Sequence, residues 1–220
     1  MPNDTKDLIL NAAEALFAEH GFGSTSLRKI TTKAGVNLAS VNYHFGSKEA
    51  LINAVFERRI IPMNQQRIER LKGLQEDYTD RGIPLEALIE AFVGPAMALA
   101  ADQDRGGAVF IRLLGRSYTE PSATLQQAIR GLYGPVIERF KLAFSQVLPE
   151  LPPEELYWRM HFMVGLLAYM MAGTDMMRLI ASCQVCDPLD IPATVKRLSV
   201  FLSAGMRAPV VEGDVGLRAG

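Results

Sequence analysis

An all-α chain is predicted by three features of the sequence. Apolar residues recur at helical spacing almost throughout, no run of period-two alternation bounded by turn residues occurs, and glycine or proline punctuates the pattern where helices would end. With 220 residues, 49% of them hydrophobic, the chain can bury an ample core, and two unequal domains fit its length. Repeats and low-complexity tracts are absent.

The first helix carries Leu8, Ile9, Ala12, Ala13, Leu16 and Phe17 as one stripe and should stop at Gly21 and Gly23. A second, short helix starts after Thr25 or Ser26, whose hydroxyls suit an N-cap, and ends at Gly35. Asn37 is a good cap for a third helix, Leu38 to His44, which Gly46 breaks. Ser47 can cap a long fourth helix from Lys48, which Pro62 should kink or end before a continuation through Met63 to Leu74. Pro84 opens a further helix, and Gly106-Gly107 precede another from about Val109 to Tyr118. Pro121 and Pro152-Pro153 mark two more helix starts, the second leading into the most apolar stretch, Glu154 to Ile180. Asp190-Ile191-Pro192 starts a last helix ending near Gly205. The expected domains are residues 1–47 (a helix-turn-helix at about 26–45), a linking helix 48–62, a larger helical unit 63–207 and a loose tail 208–220.

Formal net charge is −1, so any contact with nucleic acid must come from local clustering. Between Thr25 and Lys48 the charged residues are Arg28, Lys29, Lys33 and Lys48, without an acid among them. At 100° per residue, Leu38, Val41 and Phe45 form the core side of the third helix, and Ala39, Ser40, Tyr43 and His44 face the other way. Small residues let such a helix sink into a DNA major groove, where Ser40 and Asn42 reach base edges while Tyr43, His44 and Lys48 reach phosphates. Thr25, at the start of the second helix, adds a phosphate contact from its hydroxyl and neighbouring amides.

The run Leu10-x-Ala-Ala-x-x-Leu16-Phe17-x-x-x-Gly21-Phe22-x-x-Thr25-Ser26-Leu27, then Ala34-Gly35-Val36, then Val41-Asn42-Tyr43-His44-Phe45-x-Ser47-Lys48-Glu49-x-Leu51 resembles the TetR family of repressors over about residues 7–56. The resemblance implies a three-helix DNA-binding domain joined through the fourth helix to an all-α ligand-binding domain that dimerises, with repression relieved by ligand. It also implies that Thr25, Tyr43, His44 and Lys48 grip phosphate, and that Arg28, Asn37, Ser40 and Asn42 occupy base-reading or groove-edge positions. Position 42, where the family often has an aromatic residue, is Asn.

In the C-terminal half, Trp158 to Met171 is apolar on nearly every face, so that helix must be covered all round, by pocket wall on one side and dimer seam on the other. Met160, Met163, Met170, Met171, Met176 and Met177 concentrate there and suit an adaptable lining for a long aliphatic guest, although core packing explains the same residues. Arg112 and Arg116 lie four apart in Phe110-Ile111-Arg112-Leu113-Leu114-Gly115-Arg116 and share a helix face. They fit a carboxylate, an ion pair with an acid such as Glu90 or Glu138, or a solvated edge. His161 reads as a hydrogen-bonded core histidine or a ligand contact. Phe110 to Gly115, Leu156 to Met163 with Gly165, and Phe201-Leu202-x-Ala204-Gly205-Met206-Arg207 are similar to the PsrA-type regulators of fatty-acid metabolism. That likeness implies a long-chain fatty acid or its acyl-CoA as inducer of a homodimer bound to operator DNA.

Other classes lack support. No Gly-rich phosphate loop, nucleophile elbow or metal-binding His cluster is present, so neither catalysis nor a cofactor is expected. Cys183-x-x-Cys186 has the spacing of redox and metal sites, which leaves a thiol- or metal-responsive repressor as a rival, as is a TetR-type regulator of a different hydrophobic ligand. One such pair falls short of the four ligands zinc usually takes. The longest apolar run, Phe162 to Gly173, is too short to span a bilayer of roughly 20 residues. The opening residues lack a secretory signal, and a cytoplasmic location is expected.

Overall fold

The computed structural model describes residues 4–102, 106–119, 123–171 and 190–210, with 115, 116, 118, 119, 123–125 and 171 as backbone alone. Among these residues the chain forms helices and no strand: α1 (Thr5–His20), α2 (Leu27–Ala34), α3 (Leu38–Phe45), α4 (Lys48–Asp77), α5 (Leu85–Ala101), α6 (Gly107–Thr119), α7 (Ala123–Val147), α8 (Pro153–Met171) and α9 (Ile191–Met206). The all-α expectation holds.

Helix ends fall where the capping chemistry places them. Asp4 caps α1, which stops at Gly21 with φ 82°. Ser26, rather than Thr25, caps α2, its hydroxyl oxygen accepting from the Lys29 amide. Gly35, at φ 67°, closes α2 in the left-handed conformation that costs glycine nothing, and the Val36 amide returns to the Thr31 carbonyl. Asn37, Ser47 and Asp190 cap α3, α4 and α9. Of the kink or stop that the sequence suggested at Pro62, the stop does not occur, and α4 continues through it for 30 residues in all. Its neighbours Ile60 and Met63 are buried, and packing of that face offsets the missing backbone bond.

One hydrophobic core runs through the molecule. Rings relay from α1 to α6: Phe17 to Phe22 at 5.5 Å, Phe22 to Phe56 on α4 at 6.1 Å, and Phe56 to Phe110 on α6 at 5.8 Å. Farther on, Phe92 of α5, Phe140 and Phe144 of α7 and Met160 and Met163 of α8 fill the interior. Helix α4 packs on α1 and α3 at one end and on α5 and α7 at the other.

Candidate nucleic-acid interface

The second and third helices meet through the three residues Gly35-Val36-Asn37, and burial of Ile30 and Val41 fixes their angle against α1. That packing turns the remaining faces outward. Arg28, Lys29 and Lys33 of α2 are exposed, as are Asn37, Ala39, Asn42 and Tyr43 around α3, while Ser40, His44 and Lys48 are half-buried. Tyr43 is 86% exposed and meets the half-buried His44 edge-on at 5.1 Å, so its ring is held at the surface. These residues form one acid-free surface that ends at Glu49 in the first turn of α4.

Hydrogen bonding within this surface decides what each group can offer. The Asn37 side-chain oxygen accepts both the Ser40 amide at 2.8 Å and the Ser40 hydroxyl at 3.0 Å. Asn37 is therefore left with its amide hydrogens to donate outward, and Ser40 with lone pairs to accept. Ser47 caps α4 through the Ala50 amide at 3.1 Å, so a 30-residue helix points its positive end at the same surface, beside Lys48.

Two expectations about this region are corrected. Thr25 is fully buried, and its hydroxyl donates to the Gly21 carbonyl at 2.8 Å and lies 3.2 Å from that of Leu16. It ties the end of α1 to the start of α2 and has no open side from which to reach a phosphate. Leu38, assigned to the core side of α3, is 43% exposed at the first position of this eight-residue helix, directly after its cap Asn37. Val41 is buried and Phe45 packs on the core as expected.

The C-terminal half differs more from expectation. Met160 and Met163 are buried on the inner face of α8 with Leu156 and Leu167. His161, expected in the core or at a ligand, is exposed instead, set between the Trp158 and Phe162 rings. Trp158 stacks on Phe162 at 5.8 Å, and Phe162 is 62% exposed. Tyr157 and Tyr169 of α8 and Val200 and Phe201 of α9 are also exposed, so α8 is covered on one side within the chain and bare on the other. Arg112 is exposed, in line with the solvated edge that the sequence left open beside a carboxylate site or an ion pair. The Arg116 side chain, Met176, Met177 and the Cys183/Cys186 pair lie outside the described residues.

Three polar clusters were missed by sequence reasoning. Glu14 on α1 is buried and holds Arg58 at 2.7 Å and Arg59 through two bonds at 2.7 and 3.0 Å, beside an open cleft of about 460 Å³ at the α1–α4–α6 junction. Arg67 on α4 is 2% exposed and donates to the Phe92 carbonyl. Arg159 on α8 is buried, with its guanidinium on the carbonyls of Met206 and Ala208 and on Glu155. Each reads in sequence as an ordinary helical charge, and only a charge flanked by apolar residues, as Glu14 is between Ala12-Ala13 and Ala15-Leu16, offered a hint.

Comparison with known proteins bears on both halves. The family profile described as bacterial regulatory proteins, tetR family, matches residues 9–55, and that of the tetracyclin repressor-like C-terminal domain matches residues 90–205, more than half of the chain. The HTH-type transcriptional regulator UidR of Escherichia coli is 29% identical over 108 residues, 43% of this chain and 55% of that protein. The HTH-type transcriptional repressor BepR of Brucella suis is 31% identical over 146 residues, 66% of this chain and 61% of its own length. The chain thus spans little more than half the length of these curated relatives. Among solved structures, the fatty acid degradation regulator FadR from Bacillus halodurans superposes with a TM-score of 0.65 at 17% identity, covering 95% of this chain and 100% of that one, a likeness of fold.

Proposed function

The chain belongs to the TetR family of bacterial regulatory proteins, and we propose that it is a dimeric repressor, a regulator rather than an enzyme, released from operator DNA by a long-chain fatty acid or its acyl-CoA. The observation that carries the DNA-binding part is the acid-free surface of α2 and α3 with the α4 N-terminus behind it. Tyr43, His44, Lys48 and the α4 amides hold phosphates, while Ser40 accepts and Asn37 and Asn42 donate at base edges, with Arg28 at the groove edge. Thr25 acts from inside, by holding α1 against α2.

A second copy fits the bare face of α8 and α9. Trp158, Phe162, Tyr169, Val200 and Phe201 make an aromatic and aliphatic surface that a monomer would leave in water, and covering it pairs two α3 helices on one duplex. His161 then belongs to that seam.

For the inducer, buried Met160 and Met163 share one core with Phe140, Phe144 and Met97, and methionine side chains adapt readily to an alkyl chain. The fold shared with a regulator named for fatty acid degradation is in keeping with that guest. Among the described residues no helix is long and apolar enough to cross a membrane. The test is binding to DNA from upstream of the protein's own gene at fixed salt, with and without oleate, palmitate and their CoA esters. Release by one of these lipids is expected. Tight binding indifferent to all of them would retain the regulator and discard the lipid.

A further inference from the structure

The same four-residue pattern stands in two helices that flank α4. Helix α5 contains Phe92-Val93-Gly94-Pro95 and α7 contains Leu132-Tyr133-Gly134-Pro135, each proline inside the helix. Proline removes one backbone donor and pushes the preceding turn open, and the residue before it resists the helical conformation unless it lacks a Cβ, which accounts for the glycines. The missing amide leaves the carbonyl four residues before each proline, Ala91 or Gly131, without its helical donor, and the next carbonyls along, those of Phe92 and Leu132, belong to the same turn. Both of these carbonyls are taken by side chains of α4: Arg67 Nε donates to the Phe92 oxygen at 2.8 Å, and Asn64 Nδ2 donates to the Leu132 oxygen at 2.8 Å. The two α4 residues are joined, Arg67 Nη1 donating to Asn64 Oδ1 at 3.2 Å, and the guanidinium lies over the Phe92 ring at 4.3 Å and near Tyr133 at 5.9 Å. Both side chains are buried, so water does not compete for these bonds.

We propose that Asn64 and Arg67 are positioning residues for DNA binding, a two-pronged hook by which α4 is registered on the proline-opened turns of α5 and α7. Helix α4 belongs to both halves of the molecule. Beyond Pro62, at Arg58 and Arg59, its other end is clamped to α1 by Glu14. Any movement that changes the turn before Pro95 or Pro135 pulls on the hook and is delivered to α1 and, through it, to α3. This inference rests on the reading of the α3 face as the DNA-binding surface, but the hook itself stands on the bonds just described.

The test is a double-substitution cycle on the full chain, Asn64→Leu with Pro135→Ala. Pro135 is exposed, so its replacement leaves no cavity, and it restores the donor that draws the turn closed. Each single variant should weaken operator binding about tenfold, and the pair should be no weaker than Asn64→Leu alone, because both break one hook. Arg67→Met should behave like Asn64→Leu. A core variant chosen for equal loss of stability in urea but away from the hook, such as Leu202→Ala, should change operator affinity less than twofold. Additive effects of the pair, or an equal affinity loss in the core variant, would overturn the proposal. The cycle is also read in urea unfolding without DNA, where coupling of threefold or more in the unfolding constant is expected and its absence removes the hook. Failure of the unaltered protein to bind any operator would instead strike at the regulator reading.

Discussion

Glu14 and Arg59 form a two-pronged ion pair, Nη2 to Oε1 at 2.7 Å and Nε to Oε2 at 3.0 Å, with the carboxylate buried between α1 and α4. Arg58 shares the same carboxylate, so one acid joins the α1–α3 unit to the long helix. Removing it strands two guanidinium groups in a partly closed site. Glu14→Ala should destabilise the fold by about 3 kcal/mol, and Glu14→Gln by less, since the amide keeps one acceptor. Urea unfolding monitored by circular dichroism gives both values, and an alanine variant as stable as the parent would show that the pair contributes no net stability.

Thr25→Val keeps the shape of the side chain and deletes the hydroxyl that serves the Gly21 and Leu16 carbonyls. A stability loss of about 1–2 kcal/mol is expected. Operator affinity should fall only as far as loosening of α1 against α2 carries it, with the salt dependence unchanged. A loss of affinity for every duplex well beyond what the loss of stability carries would place the hydroxyl on a phosphate after all.

Much of this region was legible from sequence because its controls are local. Gly21, Gly35 and Gly46 end helices and Ser26, Asn37 and Ser47 begin them through bonds that span three or four residues, so composition alone locates α1 to α4. The hook at Asn64 and Arg67 was hidden for the opposite reason. Gln65-Gln66-Arg67-Ile68-Glu69-Arg70 reads as a solvated helix, and the carbonyls that bury Arg67 and Asn64 lie 25 and 68 residues away in sequence. His161 was placed inward for being set among apolar residues. Which side of an apolar helix faces the core depends on its neighbours, and here the Trp158, His161 and Phe162 side of α8 is left bare.

Phe162→Glu tests that bare face. A charge in the middle of an apolar seam between copies has no partner there, and it sits 62% exposed in the single chain, where it costs nothing. The variant should be folded and monomeric at concentrations where the parent is a dimer, by sedimentation velocity, and should bind operator at least tenfold more weakly. A dimeric Phe162→Glu protein would move the seam elsewhere.

Acid should loosen the contact of α9 with α5. The Arg207 guanidinium and the Ser203 hydroxyl bond to Glu86 and hold its carboxyl at about 2, below its ordinary value of 4.5. A group with a depressed folded-state pKa favours the fold above the unfolded value and loses that contribution as pH falls through the folded one. The window is therefore between about 4.5 and 2. Both side chains are half-exposed, so the effect is screened by salt and small. Thermal unfolding of the parent and Glu86→Gln should differ above pH 5 and converge as pH falls toward 2. A difference that persists unchanged at low pH would assign the Glu86 contribution to packing rather than to charge.

Phosphate grip is the last point open to direct measurement. Tyr43 is 86% exposed and its hydroxyl bonds to no group among the described residues, so Tyr43→Phe should leave stability unchanged and weaken binding to every duplex by about tenfold, the worth of one bond to a charged acceptor. Lys48→Ala should reduce the slope of log affinity against log salt by about 1, and substitution of Ser40 or Asn42 should alter the ranking of operator sequences with the slope intact. These outcomes separate holding from reading. If Tyr43→Phe changes sequence preference while affinity for random DNA is untouched, Tyr43 reads bases, and α3 must enter the groove rotated from the orientation that Val41 and the Asn37–Ser40 cap now imply.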